Sequence, residues 1–97
     1  MDVTFASRRL ERAFEQGQVA SREWGEVVGR KYVQRIDVLR AADTFEDLFE
    51  LRALRVHPLK GDRKGLFAMT IHDRWRLIVV ATGTKVEILE VTHHYGD

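Results

Sequence analysis

The sequence predicts an α+β domain, a small antiparallel sheet with helices packed on one face. Three observations point there. A short strand-like run opens the chain. The first half then carries apolar residues at helical spacing, and the last third switches to apolar–polar alternation with a period of two. With 97 residues and no repeat, linker or low-complexity stretch, the chain reads as one domain spanning residues 1–97.

Residues 2–6 read as the first strand. The run SRRLERAFEQG has helical texture, with Leu10 and Phe14 one turn apart, and Gly17 is the expected stop. A second helix is expected from 21 to 41, with Ser21 as its N-cap. Trp24, Val27, Val28, Tyr32, Ile36 and Leu39 recur near the helical period and form its apolar face. Arg22, Glu23, Glu26, Arg30, Lys31 and Arg35 are left mostly to solvent. Gly25 and Gly29 share a face and weaken the helix, by about 1 kcal/mol each against alanine. Either they are simply tolerated or they admit another backbone at close range. Thr44 and Asp47 have the spacing of a capping box for a short helix, TFEDLFEL.

After that helix comes the stretch HPLKGDRKG, residues 57–65, read as a stiff, bent loop. It holds His57, Lys60, Arg63 and Lys64 against one acid, Asp62, in a chain whose net charge is only +1. LFAMTIH, RWRLIVV and KVEILEVTH then alternate as strands. His72-Asp73-Arg74 and Ala81-Thr82-Gly83-Thr84 are the turns of an antiparallel meander, and the first strand pairs alongside.

Composition excludes several function classes. Without cysteine there is no disulfide, no thiolate nucleophile and no Cys-based zinc site, which fits a reducing cytosol. No signal peptide is visible, and no stretch approaches the roughly 18 apolar residues that span a bilayer. A zinc site from His57, His72, His93 and His94 lacks any supporting spacing such as HExxH. Asp43, Glu46, Asp47 and Glu50 form an acidic patch just before the basic loop, so charge is distributed unevenly in a nearly neutral molecule.

The cations and imidazoles suit phosphate chemistry. A guanidinium grips phosphate oxygens through its planar fork, and lysine supplies a compact charge. Either stabilises a pentacoordinate transition state. RNA brings its own nucleophile, the 2′-hydroxyl, so proton transfer groups and cations suffice without a metal. Arg76 stands out because it interrupts an apolar strand, where a cation needs a partner or a function. A bridge to Glu87 or Glu90 on the neighbouring strand is the structural alternative. His93 and His94 are adjacent and point to opposite faces if the strand persists. The loop cations are alternatively solvated charge. Element order alone does not force His57, Lys60, Arg76 and Tyr95 together.

The succession HPLKGDRKG, a hydrophobic strand, WRLIVV and VEILEVTHHYGD resembles the HigB branch of the RelE/ParE toxin superfamily. MDVTF before a basic helix, and RAADTFEDL ahead of the loop, extend the likeness over nearly the whole chain. The resemblance implies the toxin half of a bacterial toxin–antitoxin pair, a cytoplasmic endoribonuclease that cleaves mRNA in the ribosomal A site by acid–base chemistry without a metal or other cofactor. It also implies the convergence of the basic groups on one concave surface. Matched residue by residue, it assigns catalysis to His57, Lys60 and Arg76. His94 and Tyr95 join them, although this chain ends in the order His93-His94-Tyr95 where the branch often has Asp-Tyr-His, which leaves acid and base open. Arg63, Lys64, Arg74 and His93 would contact RNA, both mRNA and ribosomal RNA. The implied partner is a HigA-like helix-turn-helix antitoxin, which would supply the only contact to operator DNA. A ParE-like inhibitor of DNA gyrase on the same fold is the alternative, and an inactive RNA- or antitoxin-binding remnant is the second.

Overall fold

A computed structural model describes residues 1–93. The elements run β1 (Asp2–Phe5), α1 (Arg8–Glu15), α2 (Gly17–Trp24), α3 (Glu26–Ala41), two short 3₁₀ segments (Phe45–Glu50 and Arg52–Leu54), β2 (His57–Pro58), a 3₁₀ turn (Gly61–Arg63), β3 (Phe67–His72), β4 (Trp75–Thr82) and β5 (Lys85–His93). The strands form one five-stranded sheet in the order β1-β5-β4-β3-β2. The helices cover one face of it. The α+β class expected from the sequence is therefore the class observed.

The sheet is mixed rather than wholly antiparallel, because β1 pairs parallel to β5, with Val3 beside Val86 and Phe5 beside Ile88. Tight turns dictate direction only between β3, β4 and β5. β1 and β5 are neighbours in the sheet but the first and last strands in sequence, separated by the helices and the other strands, so no hairpin constrains their pairing. The stretch expected to be loop contributes a strand of its own: His57 and Pro58 pair with Ala68 and Phe67.

The helical region also departs from expectation. Gly17 opens a helix instead of closing one, and the helix expected over 21–41 is two helices broken at Gly25. Gly25 adopts φ 89°, a left-handed value that alanine or a larger residue tolerates poorly. Gly29 supplies the close approach. A Cβ there would lie 2.7 Å from both the Ala20 carbonyl carbon and the Ser21 nitrogen, so the backbones of α2 and α3 touch at this point. Ser7 caps α1, its hydroxyl accepting from the Leu10 amide at 3.2 Å. The capping box is present, with Thr44 Oγ1 accepting from the Asp47 amide and Asp47 Oδ2 accepting from the Thr44 amide, both at 3.3 Å.

Ala13, Ala20, Tyr32, Ile36, Leu39 and Leu48 meet Met69, Ile71, Leu77, Val79, Val86 and Ile88 in the core between the layers. Tyr32 is fully buried, and its hydroxyl donates to the Leu10 carbonyl at 2.7 Å, which ties α3 to α1. Burial pushes its pKa well above the ordinary tyrosine value. Val27, expected on the apolar face, is exposed, because it lies across α3 from Tyr32, Ile36 and Leu39. Several residues expected in solvent are instead engaged. Glu23 pairs with Arg9, Lys31 reaches His72, and Arg35 reaches the sheet. Among the described residues, no helix is long and apolar enough to cross a membrane.

Gly29→Ala tests the α2–α3 contact. Helix propensity alone favours alanine by about 1 kcal/mol. The clash with the α2 backbone outweighs this, and a net loss of roughly 1–3 kcal/mol in urea unfolding is expected. A gain in stability would disprove the close approach. Thr44→Ala removes one half of the capping box and should cost about 1 kcal/mol in the same measurement.

Candidate nucleic-acid interface on the open face of the sheet

Residues that pair across a sheet share a face, so the ladder states which side chains leave the core. His57, Ala68, Ile78 and Glu90 form one row across β2, β3, β4 and β5, and the two middle members, Ala68 and Ile78, are themselves buried, so the face is covered at its centre. Thr70, Arg76 and Thr92 form the next row on the same face. This is the face opposite the helices, since Met69, Leu77 and Val79 between these positions point into the core. His57 and Arg76 lie two strands and two residues apart, which standard strand spacings make roughly 12 Å between Cα atoms, about the span of two nucleotides or less.

Two bulges shape the face. In β5, Val79 pairs with Ile88 while Ile78 pairs with Glu90, so Leu89 is an extra residue. Alternation from Val86 and Ile88 would have turned Glu90 into the core; the slip turns it outward. In β3, Thr70 pairs with Arg76 and His72 with Trp75, leaving Ile71 extra. Arg35 answers this second bulge from α3. Its Nε donates to the Thr70 carbonyl at 2.9 Å and a terminal nitrogen donates to the Ile71 carbonyl at 3.2 Å. Partial burial lowers the pKa of Arg35 through desolvation, and the two carbonyls replace the lost hydration.

The candidate residues occupy distinct places. His57 Nδ1 lies 2.8 Å from the Arg55 carbonyl, which can only accept, so Nδ1 is the donor, and Nε2 is shielded from solvent. Arg76 is half-buried, and its guanidinium donates to the carbonyls of Asp73 and Trp75, which bends it toward the β3–β4 turn. Among the described residues Arg76 forms no ion pair with Glu87 or Glu90. Glu90 instead pairs with Arg63, which crosses from the 3₁₀ turn to β5. Lys60 and Lys64 flank that turn and are exposed, as is Arg74 in the two-residue β3–β4 turn. His93 does not join the open face. It pairs in register with Trp75, on the side of Leu77, and their rings stand 5.0 Å apart. His94 and Tyr95 lie outside the described residues.

The fold thus brings His57, Arg63 and Arg76 to one face, with Lys60 and Lys64 on the loop beside it, and keeps His93 apart. Sequence reasoning missed Arg35 and the Arg63–Glu90 pair. Neither leaves a signal in the spacing, because Arg35 sits on a polar helix stripe and Glu90 changes face through a bulge. Behind the turn, Lys31 Nζ donates to His72 Nδ1 at 3.2 Å, and His72 Nε2 faces Asp73 Oδ2 at 3.4 Å. The β3–β4 hairpin is therefore held from α3 by two cations. No group of three or more histidine, aspartate or glutamate side chains that could hold a metal occurs among the described residues.

No family model matches the chain. Over 80 residues, covering 79% of the chain and 80% of the relative, it is 35% identical to the endoribonuclease HigB of Proteus vulgaris. The chain belongs to the HigB family of endoribonucleases. Solved structures agree on the fold. A YoeB/ParE toxin from Agrobacterium tumefaciens superposes with a TM-score of 0.62 at 17% identity, covering 98% of this chain and 100% of that one. The YoeB–YefM complex of Staphylococcus aureus gives 0.62 at 19% identity, covering 98% of each chain. YafQ of Escherichia coli gives 0.62 at 17% identity, covering 95% of this chain and 91% of that one.

Arg35→Leu tests the support of the hairpin. It leaves two strand carbonyls with poorer partners and should cost roughly 1–3 kcal/mol in chemical denaturation. Amide exchange should quicken in β3 and the β3–β4 turn before it does in β1. Uniform exchange across the sheet would show that Arg35 acts only on global stability.

Proposed function

We propose that this protein is the toxin of a type II toxin–antitoxin pair and an endoribonuclease that cleaves mRNA on the ribosome. The observation that carries the reading is the shared open face of His57 and Arg76 in a chain of the HigB family. An RNA phosphodiester laid across that face would meet an imidazole on one side and a guanidinium on the other.

The chemistry follows from the groups. A base removes the proton of the 2′-hydroxyl, the 2′-oxygen attacks phosphorus, and the bond to the 5′-oxygen breaks as that oxygen takes a proton. The products are a 2′,3′-cyclic phosphate and a 5′-hydroxyl end. His57 is the candidate base: the Nδ1 bond to the Arg55 carbonyl fixes its ring, and RNA binding would have to uncover Nε2, which is shielded from solvent in the free protein. Arg76 stabilises the extra charge of the pentacoordinate phosphorus, assisted by Lys60. His94 and Tyr95 follow directly on β5 and are the candidates for proton delivery to the leaving oxygen. Arg63, Lys64 and Arg74 would hold the RNA backbone. Every step uses side chains and the substrate's own hydroxyl, so no metal or cofactor is assigned.

The partners follow the same reading. The relative is named an endoribonuclease, which favours RNA cleavage over gyrase inhibition. The Staphylococcus aureus structure is of a toxin with its antitoxin, and this chain is assigned an antitoxin of its own, of the HigA-like helix-turn-helix kind. The location proposed is the cytoplasm, where ribosomes and a DNA-bound antitoxin are available.

Arg76→Ala is the decisive variant. Cleavage of ribosome-bound mRNA should fall by about 10²-fold or more, as expected when a transition-state cation is removed. Growth arrest on expression without antitoxin should disappear, while the thermal midpoint of the purified variant stays close to that of the parent. Full toxicity in a folded Arg76→Ala protein would remove the nuclease mechanism. Loss of DNA supercoiling before loss of translation would point to gyrase instead.

A further inference from the structure

Among the cations at the open face, Arg63 is committed within the free protein to an anion that comes from the protein itself. It sits at the end of the 3₁₀ turn Gly61–Arg63, and its guanidinium meets the Glu90 carboxylate on β5. Glu90 stands in the row His57–Ala68–Ile78–Glu90, one strand over and two residues along from Arg76. The carboxylate reaches this face only because Leu89 bulges. Both partners are open to solvent, at 41% and 46% side-chain exposure, so the pair contributes little to folding and separates readily.

A carboxylate and a phosphodiester present the same feature to arginine, two anionic oxygens in a fork. We propose that Glu90 occupies the phosphate position of Arg63 in the free protein and that an RNA backbone phosphate displaces it on binding. Glu90 is then a specificity residue. It lowers affinity for stray anions and releases Arg63 only to a ligand that makes several contacts at once, which a polyanionic strand does and an isolated phosphate does not. Exchanging one anion for another also keeps the local charge near balance in the absence of RNA. The exchange rests on the nuclease reading above, since it requires RNA to lie on this face.

A double-mutant cycle tests it, with binding to ribosomes carrying an mRNA made uncleavable by 2′-O-methyl groups as the readout. Glu90→Gln should tighten binding roughly three- to tenfold when Arg63 is present. In the Arg63→Gln background, the same change should tighten it less than twofold, because only distant repulsion is relieved. Inorganic phosphate at millimolar concentration should weaken RNA binding more in Glu90→Gln than in the parent, since Arg63 is then open to small anions. Equal tightening in both backgrounds would reduce Glu90 to a general repulsive charge and overturn the exchange. Unchanged or weaker binding by Glu90→Gln would overturn it as well. If no variant binds these ribosomes, the nuclease reading falls and the exchange with it. If the parent binds them and the cycle shows no coupling, the exchange alone falls. Should Glu90→Gln prove unstable, Glu90→Thr, a residue well suited to a strand, carries the same test.

Discussion

The slip of one residue at Leu89 decides what the open face contains. A strand side chain has only two choices of side, and the choice is inherited along the strand until the ladder slips. Without the bulge, Val86, Ile88, Glu90 and Thr92 would all point at the helices, and a carboxylate would be driven into an apolar core. With it, the apolar set continues as Val91 and the polar set emerges beside Arg76. The bulge therefore satisfies the core and populates the candidate surface in a single step. The second bulge, at Ile71, does the complementary work in β3. It turns His72, paired with Trp75, to the same side as Ile71, and Arg35 takes up the carbonyls of Thr70 and Ile71.

The helical layer matters to that surface through how firmly it grips the sheet from behind. Gly29 lets α2 and α3 touch backbone to backbone, and the Tyr32 hydroxyl fastens α3 to α1. Once α3 is fixed, Arg35 and Lys31 extend from it to the carbonyls of β3 and to His72. Arg76 in turn donates to carbonyls at the β3–β4 turn. The position of a cation on the open face is thus traceable through the hairpin to a glycine contact on the far side of the molecule.

Much of this was legible from residue patterns. The β3–β4–β5 meander follows from alternation, the capping box from Thr44 and Asp47, and the α+β class from the order of periodicities. What escaped has a common cause. A strand direction set by non-local pairing, as in β1, leaves no mark in local sequence. A helix break at Gly25 looks the same as a tolerated glycine until a positive φ is seen. Bulges invert faces without changing composition, so Glu90 could not be assigned a side. The candidate site was half legible for the same reason. His57, Arg63 and Arg76 were identified by residue type, whereas their shared face depends on registers that residue type does not encode. His93, selected on type as well, lies on the other side against Trp75.

Under the proposed RNA-binding role, these registers also explain how a molecule with a net charge of only +1 would meet a polyanion. Overall charge governs long-range attraction, but contact depends on which charges stand together within about a Debye length, roughly 8–10 Å in cellular salt. The acids Asp43, Glu46, Asp47 and Glu50 fall on or beside the 3₁₀ segment Phe45–Glu50, which belongs to the helical side of the chain's path. The cations Lys60, Arg63 and Lys64 fall on the turn leading into β3, next to the face that carries Arg76. Separation of sign by fold, with the carboxylates of Glu87 and Glu90 retained at the face, yields a surface that is partly compensated. Such a surface favours a ligand able to make many phosphate contacts together over one that offers a single charge.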